Sequence, residues 1–362
     1  MANADLLNLS NPAEMAGKQN TSVYADAHFF AGNDYVALSQ YSGNWSGSYT
    51  PRNGTNLAML NARAEAGATY NSWRIAALYR KDALIESSRG ITDIVYYNKQ
   101  HLSVPAGQTF GINLRLEGFE ADGIRLDKGF MLPSLNGIAL TAGAGVSLLR
   151  GRSVRIGRAD GSASSTITGY TYNATVEDSN SKGTYPFIRN ATPIGQGYAL
   201  NVGAKAAWEN GSALELTAND LLGEMRWDNM PHTIQTANSA TLARDPFGNI
   251  YYNPTLTGQN DINRRSITQK LAPKLHTQFS YALTNFDVSA GTDWMKGYWF
   301  PQAGASYRLN EKWKTTFDYD VRFQTFGLGI EHQWFYLNLR SGSLSLSDTK
   351  AFGFSGGVNV QF

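Results

Sequence analysis

The chain has 362 residues, a formal net charge of +2 and no cysteine. The near-neutral balance excludes a general attraction to nucleic acid or to anionic surfaces, and the missing cysteines exclude disulfides, thiolate metal sites and thiol catalysis. Mean hydropathy is −0.34 and no run approaches the roughly 18 apolar residues of a membrane helix, so a helical membrane protein is excluded as well.

Residues 1–20 come first and read as an N-terminal segment, periplasmic or lumen-plugging. "MANADLL" lacks the basic start and apolar core of a signal peptide, so the chain is expected to be a mature form behind an added Met1. From residue 21 to residue 362 the sequence repeats one pattern, an apolar/polar alternation of period 2 broken by turns. The runs are 23–30, 60–70, 73–80, 110–118, 138–149, 198–208, 213–222, 275–283, 286–294, 303–309, 313–323, 326–332, 335–341 and 353–362. In the last, Phe354, Gly356, Val358, Val360 and Phe362 alternate with polar or small residues. Residues 119–137 fit either a further hairpin or a long periplasmic connection. The expected fold is all-β, a transmembrane antiparallel β-barrel of about 14 strands, within a range of 12–16. No helix or second layer is expected to cover the apolar faces, and a lipid-facing barrel needs none.

The connections alternate in length. Short links fall at Tyr70–Ser72, Glu209–Ser212, Thr284–Asn285, Asn310–Lys312 and His332–Trp334, and long ones at 31–56, 87–107, 151–196 and 225–272. Short periplasmic turns and long outer loops have this form, which places the C-terminus in the periplasm of a bacterial outer membrane. Tyr70, Trp73, Trp208, Trp313, Trp334, Phe335 and Phe362 gather at one set of strand ends, and Phe110, Trp294, Trp299, Phe300, Phe323 and Phe326 at the other. Two aromatic girdles at headgroup level are the expected reading. Terminal Phe362 resembles the signal read by the barrel-assembly machinery. The basic stretches "RGRSVRIGR" (150–158) and "DINRR" (261–265) read as solvated loop surface, with lipopolysaccharide phosphate as a further partner besides outer-membrane lipid.

By parity the lumen side carries Arg63, Glu65, Arg74, Arg80, Arg115, Glu117, Lys205, Glu215, Arg308, Asp318, Asp320, Arg322, Glu331 and Arg340. These are either a wall of mutually paired charges or a constriction that orders solutes, with Asp318, Asp320 and Arg322 the densest row. His28 and His276 are also expected inside. No catalytic spacing surrounds the five histidines, so no enzyme, metal or cofactor is expected; a rim enzyme would need a Ser/His or Asp/His constellation.

"LSNPAEMAG" (9–17) resembles the element that joins the plug to strand one in FadL-type outer-membrane transporters, with Asn11, Pro12, Ala13 and Ala16 carrying the likeness. "ELTANDLLG" (215–223) is similar to a strand of such barrels. The resemblance implies a 14-strand barrel that imports long-chain fatty acids or other hydrophobic compounds. The chain departs from that pattern in having ten residues before Asn11, fewer than the family's plug. The function expected first is therefore an outer-membrane channel or transporter for small hydrophobic or amphipathic molecules. A polar-solute or secretion pore for polysaccharide or polypeptide is the alternative. A non-transport barrel acting through loops such as 151–196, which contains most of "GTYPFIRNATPIGQG" (183–197), is the third reading.

Overall fold

The computed structural model describes residues 6–7, 9–166, 169–183, 193–239, 242–244, 247, 250–252 and 255–362. In chain order the elements are β1 (Ser22–Asn33), β2 (Thr55–Tyr70), β3 (Trp73–Ser88), α1 (Arg89–Lys99), β4 (Thr109–Leu135), β5 (Ile138–Thr166), β6 (Gly169–Asn180), β7 (Ile194–Ala207) and β8 (Ser212–Asn238). They continue with β9 (Leu242–Arg244), β10 (Ile250–Tyr252), β11 (Thr255–Lys270), β12 (Lys274–Ala282), β13 (Phe286–Met295), β14 (Tyr298–Arg308), β15 (Trp313–Asp320), β16 (Thr325–His332), β17 (Phe335–Ser341) and β18 (Ala351–Gln361).

Fourteen strands close a ring: β1 to β5, then β7, β8 and β12 to β18, all antiparallel. β18 seals it against β1, from Ser22↔Gln361 to Gly32↔Ala351. Closure satisfies every backbone edge that hydrocarbon would leave unpaired. The two faces invert the order of a soluble protein. Ile75, Ile124, Leu126, Leu148, Leu216, Phe317, Leu328 and Val358 are exposed on the outside, while Arg74, Arg125, Asp127, His276, Asp293, Asp318 and Arg340 are buried inside. A barrel with an apolar outer belt and a polar interior is one that spans a membrane, of the outer-membrane type.

Several expectations change. Residues 119–135 are neither a hairpin nor a long connection but the lower part of β4, which turns at Asn136–Gly137 into β5. The long segments 151–196 and 225–272 are only partly loop. β5 pairs with β7 up to Gly151, then with β6 from Arg155, and β8 pairs with β7 up to Asp228, then with β6 from His232 and with β11. The sheet therefore rises beyond the ring at the long-loop end. "RGRSVRIGR" lies on β5 rather than in a loop. "DINRR" lies on β11; its first four side chains fall outside what is described, as do residues 184–192 of "GTYPFIRNATPIGQG".

α1 is a helix where none was expected. Ser88 caps it by accepting from Ile91 N at 3.4 Å. It packs Val95 and Tyr96 on a small core of Tyr35, Val36, Trp45 and Ala58 at the long-loop end. The outer girdle also needs correction: Phe110, Phe300 and Phe323 are buried, whereas Trp299 and Phe326 are exposed.

Candidate functional site: three spaces in series through the lumen

The N-terminal segment runs inside the ring. Its polar anchor is Asn11, whose side chain accepts from Ala13 N at 2.9 Å and donates from Nδ2 to Glu215 Oε1 at 2.8 Å. Pro12 then opens the short 3-10 turn Pro12–Met15, where its missing N–H costs nothing. The turn lies on a shelf of three glycines that are cross-strand neighbours, Gly129, Gly143 and Gly203. A Cβ at Gly203 would stand 1.7 Å from Asn11 Oδ1, and one at Gly143 2.3 Å from the Pro12 carbonyl carbon. The wall is thus hollowed where the segment crosses it. Further along, Leu6 N and Leu7 N donate to Asp293 Oδ2 at 2.8 and 3.2 Å, and Asp293 Oδ1 lies 2.6 Å from His276 Nδ1. Leu6, Leu7 and Leu9 join Phe30, Leu57, Met59, Leu84, Phe300 and Phe323 in one buried cluster.

Charged side chains close much of the remaining section. Arg80 donates to both oxygens of Asp220 at 2.8 Å and pairs with Asp82, which also receives Lys274 at 3.0 Å and Asn61 at 2.7 Å. Three strands of the ring separate β3 from β8, so the Arg80–Asp220 contact is a bar across the lumen. Asp220 reaches it because β8 carries extra residues opposite Asn201, and its backbone turns to a φ of +56°. Nearer the short-turn end, Arg74 and Arg125 share Asp127, Arg125 lies 3.6 Å from Glu65, and Arg63 pairs with Glu65. Arg125 also donates to the Ser10 carbonyl at 3.1 Å, tying this group to the segment. At the long-loop end Lys296 meets Glu117 at 2.5 Å. Tyr298 donates to Glu86 at 2.7 Å. β14 and β3 stand opposite each other in the ring, so the mouth is pinched there.

Three spaces lie between these obstructions. The first, about 500 Å³ with open solvent included, sits below the mouth and is lined by Leu7, Met59, Leu84, Phe119, Leu271 and Met295 together with Arg80, Asp82, Glu117, Asp220, Lys270, Lys274 and Lys296. The second, about 380 Å³ on the same measure, shares Leu7, Arg80, Asp82, Asp220 and Lys274 with the first. The third, about 1250 Å³ with open solvent included, shares Leu9 and Arg63 with the second and is polar; Tyr24, Asp26, Arg74, Glu331, Trp334 and Phe335 border it at the short-turn end.

The expected lumen residues fall into three sets. Arg63, Glu65, Arg74, Arg80, Glu117 and Glu215 take part in the obstructions just described. Lys205 lies 3.9 Å from Glu215, Asp318 pairs with Arg340 and accepts from Asn338 at 3.1 Å, and Glu331 borders the third space. Two keep the lumen side of their strands but lie near its rims: Arg115 is exposed on β4 toward the long-loop end, and Arg308 is half-exposed and pairs with Asp287. Arg322 is placed differently, outside the Asp318–Asp320 row. β15 ends at Asp320, which caps the next turn by accepting from Phe323 N at 2.7 Å; the turn sends Arg322 to Asp34 at 2.6 Å. His28 and His276 are buried inside, as expected. Phe362 is exposed, and its N–H donates to the Thr21 carbonyl at 2.9 Å.

The sequence reading missed Asp82, Arg125, Asp127 and Lys274, which lie beyond the ends of the runs it recognised, and Asp220, which lies within the run 213–222 but is turned inward by the irregular β7–β8 pairing. It also missed Ser179, whose Oγ lies 2.8 Å from His232 Nδ1 while Glu177 lies 3.4 Å from Nε2. Ser179 and His232 are 4% and 2% exposed within the β6–β8 pairing, a burial that closes the serine to attack on a substrate. At the long-loop end Tyr49 stacks on Tyr96 with ring centroids 4.2 Å apart and donates to Asp93 at 2.6 Å. Burial first, and then the Asp93 carboxylate, push the Tyr49 hydroxyl well above the usual phenol range.

No protein-family model and no curated protein matches the chain. Among solved structures it is similar to the Pseudomonas putida toluene transporter TodX, at 13% identity and a TM-score of 0.47, over 98% of this chain and 93% of that one. A TodX monoaromatic hydrocarbon channel mutant gives 11% identity and 0.48, over 97% and 92%. The Ralstonia pickettii toluene transporter TbuX gives 11% and 0.35, over 98% and 92%.

Proposed function

We propose that the chain is a bacterial outer-membrane channel that admits small hydrophobic or amphipathic molecules, with the long loops outside and the C-terminus in the periplasm. One observation carries this reading: the three spaces in series, the first apolar, run from the long-loop mouth to the short-turn end. A small apolar ligand leaves water favourably in the first space, at roughly 25 cal/mol per Å² of buried apolar surface. Arg80 and Lys274 stand where a polar end of an amphipath would lie. The route onward is interrupted by the Arg80–Asp220 bar and by the N-terminal segment, so passage requires these to shift, and ions are not expected to leak through continuously.

The test is equilibrium binding of a naphthalene-type fluorescent probe to the purified protein in detergent, displaced by toluene. Met295→Arg places a charge against the apolar lining and is expected to abolish binding while leaving the heat-modifiable gel mobility of the folded barrel intact. Equal binding by Met295→Arg would remove the first space from the route.

A further inference from the structure

The basic stretch on β5 has no part in the lumen. Outward side chains of β3, β4 and β5 fall into rows set by strand register. Ala77, Ile124 and Leu148 form one row, and the next row toward the long loops is Tyr79, Asp122 and Arg150. The row beyond it holds Lys81, Glu120 and Ser153, with Arg152 the extra residue of a β-bulge. Ile124 and Leu148 are 60% and 64% exposed and belong to the apolar belt. One row later the Arg150 side chain is 81% exposed. The change from hydrocarbon-facing to charged side chains therefore occurs from one outward row to the next, two residues along each strand, which marks the headgroup level of the leaflet on the long-loop side.

The charges at that level are arranged. Asp122 receives Arg150 at 3.1 Å and Arg152 at 2.6 Å, so one carboxylate holds two guanidinium groups side by side. Arg152 also lies over the Tyr79 ring, 5.6 Å from its centroid. Lys182 lies 3.6 Å from Glu120, whose cross-strand neighbour is the exposed Lys81. Four cations thus gather on two carboxylates. The wall on the other side differs: among the described residues, the outward positions of β12 to β18 carry no Lys, Arg, Asp or Glu. A surface serving only to keep strand ends in water would not confine its arginines to one side.

We propose that Arg150, Arg152, Lys81 and Lys182 form a docking site for the phosphorylated headgroup of an outer-leaflet glycolipid, lipopolysaccharide. Two guanidinium forks held by one carboxylate retain N–H donors for phosphate oxygens. The apolar row directly below takes the acyl chains of the same molecule. The site is on the outside of the barrel, so it stands or falls separately from the lumen route; it depends on the proposed placement of the long loops outside.

The test is native mass spectrometry of the full chain in detergent, titrated with bisphosphorylated lipid A. The R150Q/R152Q variant is expected to bind at least tenfold more weakly, the difference that loss of about 1.4 kcal/mol produces. Dephosphorylated lipid A is expected to bind the unaltered protein as weakly as lipid A binds that variant. Lys128→Gln, over Trp73 at the opposite end of the same wall, is expected to leave binding unchanged. Folding is checked by heat-modifiable mobility. Should R150Q/R152Q fail to fold, K81Q/K182Q leaves the Asp122 contacts whole and is expected to weaken binding severalfold. Undiminished binding by whichever variant folds, equal binding of the dephosphorylated lipid, or full displacement by millimolar inorganic phosphate would each overturn the proposal.

Discussion

The two ends of the lumen are built differently. Toward the long loops the space is small and apolar, walled by Met59, Leu84, Phe119, Leu271 and Met295 and roofed by the Lys296–Glu117 and Tyr298–Glu86 contacts. Toward the short turns it is more than twice as large and polar, bordered by Asp26, Arg63, Glu65, Arg74 and Glu331. A general pore has a wet lumen from end to end. In the proposed channel, a mainly apolar, narrow entrance above a polar, wider exit selects a solute by its willingness to leave water, then releases it where water is available. The difference is maintained by what lies between the two ends, the N-terminal segment and the bar of Arg80, Asp82, Asp220 and Lys274.

Removing that divider is expected to have the largest effect. Deletion of residues 6–16 removes the backbone segment that crosses the lumen, and steady single-channel current in planar bilayers is the expected outcome. Gly203→Val is a smaller intervention of the same kind. Its side chain enters the position of Asn11 Oδ1, so the segment has to leave the shelf, and intermittent conductance should follow. Asp220→Asn weakens the bar and leaves Arg80 poorly compensated; breaking a buried pair costs about 3–5 kcal/mol, less here because Asp82 stays, and a lowered unfolding midpoint measures it. Leu84→Ala keeps the divider but enlarges the entrance. It is expected to weaken toluene displacement of the bound probe by roughly 2- to 10-fold, without opening a current, since a lost buried side-chain contact is worth about 1 kcal/mol or more. Trp73→Ala, on the outer face at the short-turn end, touches neither space and should change neither binding nor conductance.

The barrel was legible in the sequence because the membrane enforces it. Where a strand has lipid on one side and water on the other, alternation is obligatory, and thirteen of the fourteen ring strands were found this way; on β4 the run that was read, 110–118, lies above the headgroup level, and the lipid-facing part with Ile124, Leu126 and Leu132 was left ambiguous. On the other strands legibility ended near the headgroup level. Glu120 and Asp122 on β4 face outward like Ile124 and Leu126, but above the bilayer nothing requires an outward residue to be apolar. The period-2 signal vanished there, and with it the upper parts of β5 and β8, and β6 and β11. The lumen charges were legible by parity on recognised strands, so Arg63, Glu65, Arg74 and Arg80 were found. Their partners were not: Asp127 lies in the unread part of β4, and Asp220 faces inward only through the irregular pairing of β7 with β8. Leu7 and Leu9 line the first two spaces and the passage to the third through contacts far apart in sequence. No local pattern announces those.

The measurement that bears most directly on the divided lumen is planar-bilayer conductance of the intact protein beside the form lacking residues 6–16. Silence from the intact protein and steady current from the shortened one are expected if the segment and the charged bar separate a dry entrance from a wet exit. Steady ohmic current from the intact protein would mean a continuous aqueous pore, and the hydrophobic-solute channel would be contradicted.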